Sequence, residues 1–311
     1  MEFSSVFQSI LVMGAMIGVG CLLSRHITWN EDTRTFLIQI IVNIAMPCII
    51  LASIFQFPID QDVFKQIAII FLISVVINVL GIGLGWILAR MMNASPQKAK
   101  EMAILSGLGN TGFIGLPLCA ALFGPKGALL AAVFDAGLDF TIWTVGVIML
   151  QKHQRFSFSS LKSMVNIPMI AIVVGLFIAY LNVQPPQIFI TLTENLAHLA
   201  SPLAMIYIGL LVPSLWKKKK QIHLPQLGLP IVCKLLLFPV LTVLFLHLFT
   251  LEMDVIQVVL VQSTMPTITV ASILFAKYAA DEEMGAAATV FSTLISLSTI
   301  PVMVYVLSHF V

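Results

Sequence analysis

Charged side chains are scarce in this chain. Asp, Glu, Lys and Arg make up 10% of the 311 residues, whereas hydrophobic residues make up 59%. Soluble domains carry about 25% charged residues, which help to cover the surface that faces water. The composition therefore excludes an ordinary soluble protein, and it predicts a chain whose outer surface contacts the lipid bilayer.

Patterns that hold metals, cofactors or nucleic acids are also missing. The four cysteines lie in apolar segments without a C-x-x-C spacing, as packing residues do: Cys21, Cys48, Cys119 and Cys233. The chain has no H-E-x-x-H motif, and Gly107-x-Gly109-x-x-Gly112 lacks the preceding strand that a dinucleotide site requires. The basic run Lys217–Lys220 is too short to indicate nucleic acid. We therefore expect no enzyme activity, no cofactor, no metal ion and no nucleic-acid partner.

The chain instead contains a series of apolar segments, most of them longer than the roughly 20 residues that cross a bilayer. We predict ten transmembrane helices, at about 5–24, 35–57, 64–91, 99–123, 127–151, 163–182, 188–213, 225–250, 255–277 and 284–309. No basic residue precedes the first segment, so we expect it to be retained and not removed as a signal peptide. Five helices precede Arg155 and five follow it, which divides the chain into 1–155 and 156–311.

Lys and Arg are distributed unevenly between the two ends of these helices. With the N-terminus outside, thirteen of the sixteen Lys and Arg residues face the inside. Only Lys65 and Lys126 face the outside, and Lys234 lies within a helix. Basic residues concentrate on the cytoplasmic side of membrane proteins. We therefore predict a multi-pass protein of the cell membrane with both termini outside.

Helix-breaking residues interrupt two of the predicted helices at matching places. The first break, Ser106–Pro117, contains four glycines, and the second, Gln262–Thr267, contains Pro266. An offset of 155 residues superimposes the two breaks and also places Pro47 on Pro202. Because each half has an odd number of helices, the second half must be inverted in the membrane. The pattern predicts two inverted repeats whose interrupted helices meet at a substrate site.

The interrupted helices also indicate the kind of substrate. Each break exposes the N–H groups at a helix N-terminus, which attract anions, so we predict a site for a small organic anion. The predicted substrate-binding residues are Asn110, Thr111, Gly112, Ser263, Thr264 and Asn43. The predicted break-shaping residues are Gly109, Pro117, Pro266, Pro47 and Pro202. The alternative for the polar side chains is hydrogen bonding between packed helices.

Three ionisable residues lie within predicted membrane helices. Asp135 and Asp139 are spaced i, i+4 on one helix face, and Lys234 lies in the eighth helix at a similar depth to Asp139. Such residues are expected to face the protein interior or water. They are candidates for carrying a coupling proton or for balancing the substrate charge. The alternative is a structural ion pair between Asp139 and Lys234.

Four segments of the chain form an ordered set of motifs: Asn43–Pro47, Asn110–Pro117, Lys234 with Pro239, and Thr264–Lys277. Together they resemble the auxin efflux carrier family, which includes bacterial permeases described as malate or malonate permeases. Asn110–Pro117 is similar to the fourth-helix motif of that family, Thr264–Lys277 to the ninth helix and Asn43–Pro47 to the second. Lys234 followed by Pro239 is similar to the eighth helix. The resemblance covers the whole chain in order.

This resemblance implies an all-α fold of ten helices in two inverted repeats, shared with bile-acid-type sodium symporters. Helices 1, 2, 6 and 7 would form a scaffold, and helices 3–5 and 8–10 a moving core in which helices 4 and 9 cross. The short link between Lys152 and Lys162 is typical of the bacterial members. The implied substrate is a small carboxylate such as malate.

The sequence therefore predicts a secondary active transporter that moves a small organic anion by alternating access, driven by protons or by the membrane potential. Its expected partners are the substrate and the bilayer, and assembly into a homodimer stays open. One alternative is a sodium-coupled organic-anion symporter of the bile-acid type. The other is a membrane receptor that does not transport.

Overall fold

The computed structural model describes residues 3–27, 30–56, 59–151, 165–181, 183–217 and 224–310. The helices of the first half are α1 (Phe3–Leu23), α2 (Glu31–Ile40), α3 (Met46–Phe55), α4 (Gln61–Met91), α5 (Pro96–Gly107), α6 (Leu116–Thr141) and α7 (Val147–Leu150). Those of the second half are α8 (Ile167–Tyr180), α9 (Gln187–Ala197), α10 (Ala200–Lys217), α11 (Leu224–Val232), α12 (Phe238–Leu246), α13 (Met253–Ser263), α14 (Ala271–Lys277) and α15 (Glu282–Leu307). The described residues form no strand, and their extended pairing is limited to one bridge between Gly109 and Thr267.

Six helical stretches in the described residues are long and apolar enough to cross a membrane: Asp32–Phe55, Gln61–Met91, Thr111–Leu150, Gln187–Pro213, Leu227–Leu246 and Glu282–Leu307. Shorter apolar helices cover Leu11–Leu23, Ile167–Tyr180 and Met253–Ser263. Large apolar side chains such as Leu72 and Ile188 are exposed on these helices, as a lipid-facing surface requires. The prediction of a nearly all-helical polytopic membrane protein is confirmed. The predicted link Lys152–Lys162, Arg155 and Lys218–Lys220 lie outside the described residues.

The stretch Thr111–Leu150 is 40 residues long, about twice the length of one crossing. It turns at Gly124, whose φ of 67° is strained for any residue with a side chain, and Pro125 follows. The turn lies between the predicted fourth and fifth helices. The stretch therefore consists of two helical segments that meet at Gly124.

Five-residue π-helical turns join consecutive helices of the described chain at Ile41–Ala45, Thr111–Gly115, Ile142–Gly146 and Cys233–Leu237. Three of these turns are followed within two residues by a proline: Pro47, Pro117 and Pro239. Proline has no N–H to donate, and its ring clashes with the carbonyl one turn earlier in a regular helix. The extra residue of a π turn accommodates this clash, and such turns are frequent at functional sites.

Small residues let helices of the two halves approach at backbone distance. A Cβ on Gly20 of α1 would lie 2.3 Å from the carbonyl oxygen of Ile206, and one on Gly209 of α10 would lie 2.1 Å from that of Ile17. Within the first half, α4 and α5 also approach at backbone distance, at Gly107. These contacts hold α1 against α10 and fix the position of the residues that follow α5.

Two ion pairs link the first half of the chain to the second. Lys98 pairs with Asp281 at 2.5 Å, and Lys126 pairs with Asp254 at 2.5 Å. Lys98 and Lys126 stand at opposite ends of the interrupted helix formed by α5 and the start of α6. In each pair the lysine belongs to the first half and the aspartate to the second. The pairs therefore join the halves at both ends of this helix.

Replacing Asp281 with Asn should lower stability at neutral pH by about 1 kcal/mol, because the pair is half-exposed. Burial raises the pKa of Asp281, but hydrogen bonds from Lys98 and the Met284 N–H, and the Lys98 charge, outweigh it, so the pKa lies below its ordinary value. A lowered pKa stabilises the fold above the unfolded-state pKa, and this stability is lost as the pH falls through the folded-state pKa. Thermal unfolding in detergent should show the wild type and the variant converging at acid pH. An equal change for the exposed Glu283→Gln would contradict this.

Candidate functional site

The two interrupted helices meet at a crossing formed by their breaks, which the structure places at 108–110, between α5 and the π turn at Thr111, and at 264–270, between α13 and α14. After α5 ends, the Asn110 N–H donates to the carbonyl of Pro266 at 2.7 Å. In return, the Ile268 N–H donates to the carbonyl of Leu108 at 3.2 Å. Backbone that leaves a helix in the membrane must find partners within the protein. Each break therefore supplies the hydrogen bonds that the other has lost.

Polar side chains reinforce this crossing. Thr267 Oγ1 donates to the Leu105 carbonyl at 3.1 Å, and the Thr267 N–H donates to Ser292 Oγ at 3.1 Å. Gln262 Nε2 donates to the Ala131 carbonyl at 3.2 Å. These bonds connect α13 and the second break to α5, α6 and α15. The crossing is thus held by both halves of the chain.

A cavity of about 160 Å³, the crossover cavity, opens beside the two breaks. It lies between the breaks, the end of α6, the π turn Ile41–Ala45 and the start of α8. Its walls are formed by Val42, Met46, Gly109, Asn110, Thr111, Gly112, Phe113, Asp135, Leu138, Asp139, Ile142, Asn166, Pro168, Ile268, Thr269 and Val270. A protein cavity of about 150 Å³ holds benzene, so the space suits a molecule of similar size.

Two carboxylates of α6 are the ionisable groups among these described wall residues. Asp135 Oδ1 accepts a hydrogen bond from the Thr111 hydroxyl at 2.5 Å, and Asp139 Oδ2 accepts one from Asn166 Nδ2 at 3.0 Å. A Cβ on Gly112 would lie 2.8 Å from Asp135 Oδ2, so the carboxylate lies directly against the backbone of this turn. The wall is therefore acidic on the α6 side.

Two polar groups of the wall have no hydrogen-bond partner among the described residues. They are Asn110 Nδ2, on a residue that is 4% exposed, and Thr269 Oγ1. Buried polar atoms are nearly always hydrogen-bonded, and exceptions often mark functional positions. One comes from each break. Together they can hydrogen-bond an oxygen of a bound molecule.

A second cavity of about 410 Å³, the vestibule, lies on the far side of Pro117. It is lined by residues of α3, α6, α9 and α10, and Gln56 Nε2 donates to Glu194 Oε1 there at 3.1 Å. Between the two cavities, α3 packs on α6, where Met46, Ile50, Leu116 and Ala132 belong to the buried hydrophobic core. The same four residues border a small space that also adjoins Asp135 and Asp139. Both cavities therefore lie along one seam between α3 and α6.

The structure brings part of the predicted site together. Asn110, Thr111, Gly112 and Gly109 line the crossover cavity. Ser263 and Thr264 do not, because their hydroxyls donate to the carbonyls of Leu260 and Val261 at 2.7 Å and close the last turn of α13.

Asn43 is exposed and does not line the crossover cavity. The π turn that contains Asn43 contributes Val42 to the cavity wall instead. Pro266 accepts the Asn110 N–H within the crossing, whereas Pro117 lines the vestibule. Pro47 follows a π turn and Pro202 lies in the first turn of α10, where proline is tolerated. Thus the prolines shape the backbone at several separate places.

The ion pair between Asp139 and Lys234, which the sequence left open as an alternative, is not formed. Asp139 bonds to Asn166, whereas Lys234 Nζ donates to the Ser263 carbonyl at 3.4 Å. Asn166, which was not predicted as a site residue, caps α8 because its Oδ1 accepts the Met169 N–H at 2.8 Å. An asparagine just before Ile167-Pro168 is a helix-start signal that would have located it. Thr269 was not predicted either. Its position three residues after Pro266 is the sequence feature that could have indicated it.

Comparison with known proteins decides the family. The family model described as "Membrane transport protein" matches residues 5–304. The chain belongs to this membrane transport protein family. The predicted resemblance to auxin efflux carriers is thereby confirmed, and the family points to a membrane transporter and not to an enzyme.

Relatives in this transport family match along nearly their whole length. An "Uncharacterized transporter" of Methanothermobacter thermautotrophicus is 21% identical over 97% of this chain and 98% of its own. A second uncharacterized transporter, from Methanocaldococcus jannaschii, is 23% identical over 94% of this chain and 95% of its own. A "Putative malonate transporter" of Rhizobium meliloti is 22% identical over 96% of this chain and 94% of its own.

Proposed function

We propose that this protein is a secondary active carrier that moves a small organic anion by alternating access. The observation that carries the proposal is the crossover cavity, which both interrupted helices build together. Thr111 begins the helical turn after the first break, and Val270 precedes α14 after the second. Both helix N-termini therefore adjoin the cavity, and their partial positive charge favours an anion.

The size and polarity of the cavity support a small carboxylate. A volume of about 160 Å³ suits three- or four-carbon dicarboxylates such as malonate or malate. Asn110 Nδ2 and Thr269 Oγ1 would bind carboxylate oxygens. The relative named as a malonate transporter agrees with this substrate class.

Asp135 and Asp139 support coupling to protons. An anion beside two ionised carboxylates is repelled, and protonation of these groups removes the repulsion. Protons would therefore accompany the anion through the membrane. Coupling to sodium is the alternative, and uptake measured with and without sodium distinguishes it from proton coupling.

We further propose ten membrane-crossing helices in two inverted repeats, 1–155 and 156–311, with both termini outside the cell membrane. Of the ten predicted membrane helices, numbers 1, 2, 6 and 7 would form the scaffold and the other six would form the core. The packing of α1 on α10 and of α3 on α8 and α9 supports the scaffold. The two ion pairs at opposite ends of the interrupted helix support repeats related by a two-fold axis.

The seam that holds both cavities would be the transport pathway. The buried apolar contact of α3 with α6, which includes Ile50 and Leu116, would be the layer between the vestibule and the crossover cavity. Movement of α6 past α3 would move this layer and open the binding site toward the vestibule.

Uptake of radiolabelled malonate and malate into proteoliposomes tests the proposal. An inward proton gradient should drive saturable uptake in choline buffer as well as in sodium buffer, and unlabelled substrate inside should accelerate it. Uptake only in the presence of sodium would establish the alternative coupling. Saturable binding without flux would overturn the carrier in favour of a receptor.

Replacing Asn110 with Ala should raise the KM for the transported carboxylate about tenfold, the effect of losing one hydrogen bond to a charged group. Initial uptake rates over a range of substrate concentrations measure this. The exposed Asn195, on α9, provides the matched control, since Asn195→Ala should leave KM unchanged. Equal KM values for all three proteins would remove Asn110 from the site.

A further inference from the structure

Lys234 is a buried lysine whose amine has no carboxylate partner in the described chain. The residue is 1% exposed, and no ion pair of the described residues includes it. Its Nζ donates to the Ser263 carbonyl at 3.4 Å and lies 3.6 Å from the centroid of the Phe238 ring. Burying a charge is costly unless other groups compensate for it. A charged Lys234 amine therefore needs stabilisation from groups other than an acidic residue.

The surroundings of Lys234 supply that stabilisation. Ser263 is the last residue of α13, and Gly109 lies two residues beyond the end of α5. A Cβ on Gly109 would lie 3.0 Å from Lys234 Nζ. The ammonium therefore stands beside the carboxyl ends of both interrupted helices, each of which carries roughly half a negative charge. The face of Phe238 adds a cation–π interaction.

We propose that the Lys234 ammonium is a built-in cation that holds the two carboxyl-terminal helix ends together at the crossing. In carriers with interrupted helices, helix carboxyl ends and unwound carbonyls bind the coupling sodium ion. Here a tethered ammonium fills such a position, so the crossing needs no metal ion. This inference rests on the proposed function in one respect: it takes the crossing to be the transport site.

The charge and volume of Lys234 can be separated by two variants. Lys234→Ala removes both, and leaves room for a small cation beside Ser263. Lys234→Met removes the charge but fills most of the volume. We would purify the wild type and both variants in n-butylammonium chloride and exchange them into choline, sodium or n-butylammonium chloride at equal ionic strength. Thermal unfolding is then measured in each salt.

The wild type should unfold at the same temperature in all three salts. Lys234→Ala should unfold roughly 5 °C lower in choline, and sodium or n-butylammonium should restore at least half of the loss in a saturable way. Lys234→Met should be destabilised in every salt, because it leaves no space for a cation. Lys277→Ala, which removes an exposed lysine, should show no specific response to either cation.

Wild-type stability of Lys234→Met in choline would overturn the proposal, since packing alone would then explain the residue. So would a loss in Lys234→Ala that neither cation reverses. If Lys234→Ala cannot be recovered in any salt, the stability of Lys234→Met decides between the two explanations. None of these measurements uses transport, so a failure of the proposed substrate would leave them valid.

Discussion

Asp135→Asn should make the KM for the transported carboxylate much less dependent on pH, whereas in the wild type KM should rise about a hundredfold as the pH increases. The variant keeps an oxygen that can accept the Thr111 hydroxyl, so the local geometry should survive. It cannot lose a proton, however. The variant therefore corresponds to the protonated carboxyl at every pH.

The size of this effect follows from Coulomb repulsion. An anion about 5 Å from an ionised Asp135 is destabilised by about 3 kcal/mol at an effective dielectric constant of about 20. That energy corresponds to roughly a hundredfold change in affinity. Asp139, the other ionisable wall residue described, leaves a smaller pH response in the variant. Asp135→Asn should also lose most of the accumulation that an inward proton gradient drives, while exchange of labelled for unlabelled substrate continues.

Initial uptake rates between pH 5 and 8, with equal pH on both sides, measure the first effect, and uptake under an imposed gradient measures the second. Glu283→Gln removes an exposed carboxyl and should behave as the wild type. A wild-type KM that does not change with pH would contradict proton coupling through Asp135. Proton coupling through Asp135 would also be contradicted if Asp135→Asn accumulated substrate under the gradient to the wild-type level.

The sequence predicted the interrupted helices because glycine and proline are costly at membrane depth unless the chain needs them there. It also named Asn110 and Thr111, which follow directly on Gly109 and line the crossover cavity, while their binding of substrate stays a prediction. It could not reveal that the two breaks bond to each other, because Asn110 and Pro266 are far apart in sequence. That pairing depends on how the halves pack.

The side-chain directions were the harder part of the site. A hydroxyl at a helix end can bond backward to its own turn, and Thr264 does so instead of facing the cavity. Asn43 lies in a π turn, whose extra residue rotates the following side chains relative to a regular helix. Asn166 reaches Asp139 only through tertiary packing of α8 on α6. In each case local sequence fixes the residue type but not its direction.

Gly107→Ala should destabilise the fold by about 3 kcal/mol and lower the midpoint of thermal unfolding by roughly 5 °C or more. A Cβ at this position would lie 2.4 Å from the Ile82 nitrogen and 2.8 Å from the Gly81 carbonyl carbon. Both are backbone atoms of α4, so no change of side-chain rotamer can relieve the clash. The helices must separate, and α5 would then move the break that begins just after Gly107.

Gly83→Ala is the matched control, because it lies on the same helix, α4, with open space where its Cβ would be. This variant should equal or slightly exceed wild-type stability, since alanine favours a helix over glycine by about 1 kcal/mol. Thermal unfolding of the three purified proteins in detergent compares them. Equal stability of Gly107→Ala and Gly83→Ala would mean that α4 and α5 do not meet at backbone distance. If they do meet, Gly107→Ala should also weaken substrate binding in the protein that still folds, because Gly109 and Asn110 form the cavity wall only two and three residues further along the chain.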